Sequence, residues 1–218
     1  ITAKRMVPSL ALIFSVMGSI VLGLSAPTEA AALGAFGSIL LTIAYGNFTL
    51  KALKETVFQT LKISSMMMII LTGGYMFSGV FLGMGGGEAT EKILMALHLS
   101  PWGVLILFLF IIYLAGFILD WASILLVFVP IFSPIIDKLG FNPIWFGILF
   151  IMMIQTSYLT PPMAPAIFYL KGIAPPEITT NEIFRGIVAY MLLQLVGIAI
   201  ITLFPQIALW LPDQLLRW

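Results

Sequence analysis

Residues 102–136 read WGVLILFLFIIYLAGFILDWASILLVFVPIFSPII, an apolar stretch with Gly116, Asp120 and Ser123 near its middle and Pro130 and Pro134 later. A helix needs roughly 20 apolar residues to cross a bilayer core, so the stretch is long enough for more than one pass. An ordinary single span would not readily tolerate a carboxylate and two prolines. The segments Trp102–Leu119 and Trp121–Ile136 read as a re-entrant hairpin that enters and leaves on one side of the membrane.

The rest of the chain has the same character. Of its 218 residues 61% are hydrophobic and only 9% charged, against roughly 25% charged in a soluble domain. Nothing ionisable at neutral pH lies between Glu29 and Lys51, Lys62 and Glu88, Lys138 and Lys171, or Arg185 and Asp213. Each gap holds a bilayer-spanning helix. The expected fold class is therefore all-α and polytopic. A net charge of +1 gives no reason to expect nucleic acid or another polyanion, and the absence of cysteine removes disulfides and thiolate metal sites from consideration. The sequence starts at Ile1, with Lys4 and Arg5 leading into an apolar run that lacks a small-residue cleavage site. It reads as cut from a longer chain, not as a signal peptide.

Four regions are expected. Residues 1–62 carry two spans, about Val7–Leu24 and Pro27–Tyr45, then an amphipathic interfacial helix over Asn47–Lys62 with Leu50, Leu53, Val57 and Leu61 on one face. Residues 63–100 carry a span over Ile63–Leu82 and a short polar helix with Glu91, Lys92 and His98. Residues 101–172 carry the hairpin and a discontinuous helix, opened by Asn142-Pro143 and interrupted over Gln155–Pro162. Residues 173–218 carry a last span, capped by Thr179 and Glu182, and an amphipathic tail with Trp210 and Trp218 as interfacial anchors. With the hairpin re-entrant, threading puts Lys4, Arg5, Lys51, Lys54, Lys62, Lys171 and Arg185 on one side and Lys92, Lys138 and Arg217 on the other. That split satisfies the positive-inside rule. Two full crossings would also leave Lys138 outside, so re-entrance rests on the buried polar residues.

Asp120 is the only acid deep in an apolar segment, where a carboxylate costs at least ~2.5–3.5 kcal/mol unless paired, protonated or wetted. A functional role competes with a plainer one, in which Asp120 caps a helix end. Gly116, Asp120 and Ser123 are spaced i, i+4, i+7, which on a helix gathers a flexible backbone point, a carboxylate and a hydroxyl on one side. Oxygen ligands of this kind suit a hard cation such as sodium. The interruption supplies the complement: unwound carbonyls together with Gln155, Thr156, Ser157 and Thr160 at membrane depth. A mere kink satisfied by hydroxyls is the plainer reading of its prolines. Glu29 suits a first helical turn, His98 has no second metal ligand nearby, and Met66, Met67 and Met68 read as packing or lipid contact.

Several motifs resemble the large membrane subunit of TRAP (tripartite ATP-independent periplasmic) transporters. They are Ala26-Pro27-Thr28-Glu29-Ala30-Ala31-Ala32-Leu33-Gly34, Gly116-Phe117-Ile118-Leu119-Asp120 with the following Pro130, Gly140-Phe141-Asn142-Pro143-Ile144-Trp145-Phe146-Gly147, and Leu159-Thr160-Pro161-Pro162. The resemblance runs from Val7 to Pro212 and covers the C-terminal half of such a subunit. It implies one half of an inverted-repeat, elevator-type secondary transporter of the bacterial inner membrane. Sodium as the coupling ion would drive uptake of an organic acid delivered by a periplasmic substrate-binding protein. No cofactor and no enzymatic activity are implied. Further partners would be a small membrane subunit, the N-terminal half of the same subunit and the lipid bilayer. By position, Gly116–Ser123 would be the hairpin tip and Thr156–Pro162 the broken helix packed against it.

The implied sodium ligands are Gly116, Asp120, Ser123, Thr156 and Thr160. An anionic substrate would meet the half-helix ends around Ser157, Pro161 and Pro162. The family commonly has glycine after Thr-Pro-Pro, where this chain has Met163 and Ala164, a departure that bears on the substrate side. Phe168-Tyr169-Leu170-Lys171-Gly172 with Ala174-Pro175-Pro176 looks like a branch handling carboxylates such as oxo acids. Two other classes compete with transport. An intramembrane aspartyl protease needs two carboxylates able to share a proton, and Asp120 has no deeply placed acidic partner. An ion channel usually relies on repeated filter elements from several subunits.

Overall fold

The computed structural model describes residues 2–161, 164–175 and 177–215. Their elements are α1 (Thr2–Val21), α2 (Pro27–Ala44), α3 (Leu50–Gly83), α4 (Gly86–Ala96), α5 (Pro101–Ala115), α6 (Trp121–Lys138), α7 (Pro143–Leu159), α8 (Pro165–Ile173), α9 (Thr180–Leu203) and α10 (Gln206–Leu215). The protein is an all-α, multi-pass membrane protein. Helices α2, α3, α6 and α9 are long and apolar enough to cross a bilayer, while α5, α7 and residues 6–21 of α1 are shorter apolar segments.

Side-chain caps start several helices where the sequence places them. The Ser100 hydroxyl accepts from the Gly103 N–H at 3.2 Å before Pro101 opens α5. Asn142 Oδ1 accepts from Ile144 and Trp145 ahead of α7. Thr179 and Glu182 form the expected reciprocal box, Thr179 N–H donating to Glu182 Oε2 at 2.7 Å and Glu182 N–H to Thr179 Oγ1 at 3.3 Å. Glu29 reaches back to the Ala26 N–H at 3.0 Å, which is the first-turn role expected of it.

Two boundaries differ from expectation. The amphipathic segment and the span after it form one helix, α3, of 34 residues. At 1.5 Å per residue it is about 51 Å long, well beyond a hydrocarbon core of about 30 Å. A change of amphipathicity alone does not end a helix, and no proline or capping residue stands at Lys62-Ile63 to do so. The hairpin's first arm stops at Ala115, not Leu119, because residues 116–120 turn out of the helix.

Two compact units divide the chain at Met66, inside α3. In the first, α1 packs on α2 where glycine removes side-chain bulk: a Cβ at Gly34 would lie 3.1 Å from Val16, and one at Gly37 would collide with Leu12. In the second, α5, α6, α7, α9 and α10 enclose a core that includes Leu105, Phe108, Ile112, Ile124, Ile136, Phe146, Leu149 and Phe150. Phe108 of α5 stacks on Phe132 of α6, ring centroids 3.8 Å apart, fastening the two hairpin arms. At the hairpin base Lys138 donates to Glu91 Oε2 of α4 at 2.7 Å.

Two prolines, Pro130 within α6 and Pro205 just past α9, leave carbonyls without their usual i+4 donor, and side chains of neighbouring helices supply substitutes. Pro130 cannot donate to Leu126, whose carbonyl instead accepts from the buried Ser78 hydroxyl of α3 at 2.6 Å. Gly74, one turn earlier, lets α3 approach, since a Cβ there would fall 2.8 Å from that of Leu126. Pro205 likewise cannot donate to Ile201, whose carbonyl accepts from the indole of buried Trp145 at 2.9 Å.

Candidate functional site

The hairpin tip lies against the C-terminal end of α7. Gly116 is buried and ends α5 with ordinary right-handed φ, so its lack of a side chain serves proximity and not conformation. A Cβ there would fall 2.5 Å from the Cβ of Ser157 and closer still to its hydroxyl. Ser157 is 0% exposed and donates to the Ile154 carbonyl at 2.7 Å. It forms a wall under the tip and reaches no open surface in this arrangement.

Asp120 is half-buried and N-caps α6, its Oδ2 accepting from the Ala122 N–H at 3.0 Å. The capping role is thus real. It occupies one oxygen and leaves Oδ1 facing the Tyr158 hydroxyl at 3.5 Å. Tyr158 also accepts from the Trp121 N–H at 2.6 Å. The i, i+4, i+7 argument for Gly116, Asp120 and Ser123 does not hold as stated. The chain leaves helix geometry between Ala115 and Trp121, so no single helical face carries all three. Ser123 is half-buried in the first turn of α6.

The helix break starts later than expected: Gln155–Leu159 remain helical and the chain leaves the helix at Thr160. Thr160 is extended, φ −100 and ψ 133, as the residue before a proline should be. Pro161 is exposed, Pro162 falls outside the described residues, and α8 begins at Pro165. The Thr156 hydroxyl donates to Met152 and that of Thr160 to Thr156, at 2.8 and 2.9 Å. A hydroxyl that spends its one proton this way keeps lone pairs for another partner. Thr160 Oγ1 in addition accepts from the Tyr113 hydroxyl at 3.3 Å.

Carbonyl oxygens complete the site. The i+4 positions of Ser157 and Tyr158 are Pro161 and Pro162, neither of which can donate. The Thr160 N–H turns to Ser157 at 3.0 Å. Among the described residues no N–H or side-chain donor reaches the carbonyls of Gly116, Phe117, Ile118, Leu119 or Tyr158. This contrasts with Pro130 and Pro205, whose freed carbonyls are filled from neighbouring helices. The structure thus brings Gly116 onto Ser157, and Thr156 next to Thr160.

Tyr113 and Tyr158 went unread in the sequence. The available signal was weak: each is a lone hydroxyl-bearing aromatic within four residues of a helix interruption. The departure at Ala164 has a conformational meaning, since it adopts φ 31 and ψ 56, the left-handed region that glycine enters freely. Among the described residues no group of three or more His, Asp or Glu side chains could hold a metal ion. Any cation here would be held by carbonyl, hydroxyl and single-carboxylate oxygens.

The family described as "Tripartite ATP-independent periplasmic transporter, DctM component" matches residues 2–207. The chain is 27% identical over 205 residues to the uncharacterized protein YgiK of Salmonella typhimurium, covering 94% of this chain and 47% of that one. It is 29% identical over 207 residues to the C4-dicarboxylate TRAP transporter large permease protein DctM of Rhodobacter capsulatus, covering 94% and 47%. It is also 29% identical over 215 residues to the ectoine TRAP transporter large permease protein TeaC of Halomonas elongata, covering 93% and 47%. The chain spans about half the length of these relatives, and the latter two are permeases, not enzymes. With the match running through the hairpin, the proline break and the helices on either side of them, the chain belongs to the DctM component family of tripartite ATP-independent periplasmic transporters.

Proposed function

We propose that this chain is the C-terminal half of a sodium-coupled secondary transporter subunit that imports an organic acid across the bacterial inner membrane. The observation that carries the reading is the packing of Gly116 on Ser157 beside carbonyls, those of Tyr158 and the hairpin tip, that no donor among the described residues reaches. An apolar membrane interior makes unpaired carbonyls costly, so an oxygen-seeking cation is the natural partner for them. Asp120, Ser123, Thr156 and Thr160 supply side-chain oxygens and Gly116 a backbone oxygen toward sodium. The helix end at the exposed Pro161 faces the substrate, with Ser157 buried beneath the hairpin tip and the start of α8 contributing positive potential toward a carboxylate. The 15-residue α5, about 22 Å long, is short for a full crossing and favours the re-entrant hairpin.

The working protein would contain the N-terminal half of the same subunit, related by inverted repeat. A small membrane subunit and a periplasmic substrate-binding protein would accompany it. Alternating access would move the hairpin and broken helix as an elevator through the bilayer. The substrate class is an organic acid. Relatives named for C4-dicarboxylates and for ectoine show that family membership does not fix it further.

The test is uptake of a panel of labelled carboxylates into proteoliposomes containing the full-length subunit and its partners, with and without an inward sodium gradient. Uptake should follow the gradient in the native protein and lose that dependence in Asp120→Asn. Uptake indifferent to sodium, or unchanged by the substitution, would sink the assignment.

A further inference from the structure

We propose that Tyr113 and Tyr158 are positioning residues for the cation, two hydroxyl struts that hold the hairpin tip on α7 and set its ligands. The inference rests on the cation reading of the site given above. Every hydrogen bond between the hairpin (residues 101–138) and α7 with its C-cap, among the described residues, runs through one of these two phenols. Apolar contact and the Gly116–Ser157 approach supply the rest of that interface, and neither fixes the direction of an oxygen.

The two struts act on different ligands. Tyr158, from α7, accepts from the Trp121 N–H at 2.6 Å, which leaves its own proton for Asp120 Oδ1. With Oδ2 engaged by Ala122 at 3.0 Å, the carboxylate is held at both oxygens, while the remaining lone pairs stay available. Tyr113, from α5, donates to Thr160 Oγ1 at 3.3 Å while that hydroxyl's proton goes to the Thr156 carbonyl. That holds the Thr160 oxygen with its acceptor side toward the hairpin. Ligands held in place before binding lose less freedom on binding, so the struts raise sodium affinity without touching the ion.

The experiment uses the intact subunit with its partners, purified in detergent, and reads thermal stabilisation while sodium chloride replaces potassium chloride at constant ionic strength. The variants are Tyr113→Phe and Tyr158→Phe, which keep the rings, with Tyr75→Phe, exposed on α3, as control. Each strut variant should raise the sodium half-saturation about 2- to 10-fold, the worth of one net hydrogen bond. The double variant should show roughly the product, and the control no shift.

Lower melting in potassium with an unchanged sodium half-saturation would show a merely structural role and overturn the proposal. A shift of equal size in the control would overturn it too. A native protein that sodium does not stabilise would remove the cation reading itself, a failure seen before any variant is compared. If a Phe variant accumulates poorly, sodium-22 binding in native membranes gives the same half-saturation without purification.

Discussion

Gly116 at the end of α5 and Ser157 in the last turn of α7 occupy the same space to within a methyl group: a Cβ on the one would sit 2.5 Å from the Cβ of the other. Gly116→Ala should therefore push the hairpin tip off α7. Overpacking of this kind costs about 1–3 kcal/mol and should lower sodium-driven uptake by at least tenfold. The second-site change Ser157→Gly removes both colliding atoms, so the double variant should recover much of what Gly116→Ala loses. Uptake unaffected by Gly116→Ala, or a double variant as defective as the single, would show that this contact does not position the site.

The legibility of that contact in the sequence was partial for a definable reason. Composition and charge gaps were enough for the membrane class, and Ser100-Pro101, Asn142-Pro143 and Thr179 with Glu182 marked helix starts because capping is local chemistry. Gly116 and Thr156–Pro162 stood out as interruptions, but which atoms meet depends on the packing of α5, α6 and α7. The i, i+4, i+7 reading of Gly116, Asp120 and Ser123 failed because it assumed a continuous helix through the turn. Pro161 and Pro162 were expected to unwind the helix from Gln155 onward. A proline disturbs carbonyls four residues back without necessarily unwinding them, and here the hydroxyls of Thr156 and Ser157 donate to the preceding turn. Tyr113 and Tyr158 act between elements, where periodicity gives no sign.

Asp120 has a capping role and a proposed charge role, and two substitutions separate them. Asparagine keeps an oxygen for the Ala122 N–H, so Asp120→Asn should leave the melting temperature in potassium nearly unchanged while abolishing stabilisation by sodium. Asp120→Ala loses the cap as well and should cost about 1 kcal/mol beyond the asparagine variant. If the two variants melt alike and both still respond to sodium, Asp120 is neither a ligand nor a cap that counts.

Ala164 takes a left-handed conformation with its methyl group buried, at 1% exposure, against Ile167, Ile183 and Ile187. Glycine would relieve about 1–2 kcal/mol of backbone strain and forfeit about 0.8 kcal/mol of methyl burial. Ala164→Gly is therefore expected to be neutral to about 1 kcal/mol stabilising by those terms. Ala164→Val adds a β-branched side chain where φ is positive and should destabilise by more than 1 kcal/mol. Thermal melting of the two variants side by side checks the sign. A stable valine variant would mean that residue 164 is free to leave the left-handed region.

Ser78 donates to the Leu126 carbonyl because Pro130 cannot, and a double-mutant cycle tests that causal link. Ser78→Ala alone leaves the carbonyl unpaired in an apolar setting. The cost should be about 0.6 kcal/mol, the average for hydrogen bonds between membrane helices, and at most about 1.7 kcal/mol. In a Pro130→Ala background the restored N–H of residue 130 can serve Leu126 from within α6. There the same Ser78→Ala change should cost markedly less, giving a coupling between the two sites of several tenths of a kcal/mol or more. Strict additivity would show that the serine bond matters independently of the proline. The contrast with the break after α7 would then weaken, because the carbonyls of Leu126 and Ile201, served by side chains of neighbouring helices, are what set the donor-free carbonyls of Tyr158 and the hairpin tip apart.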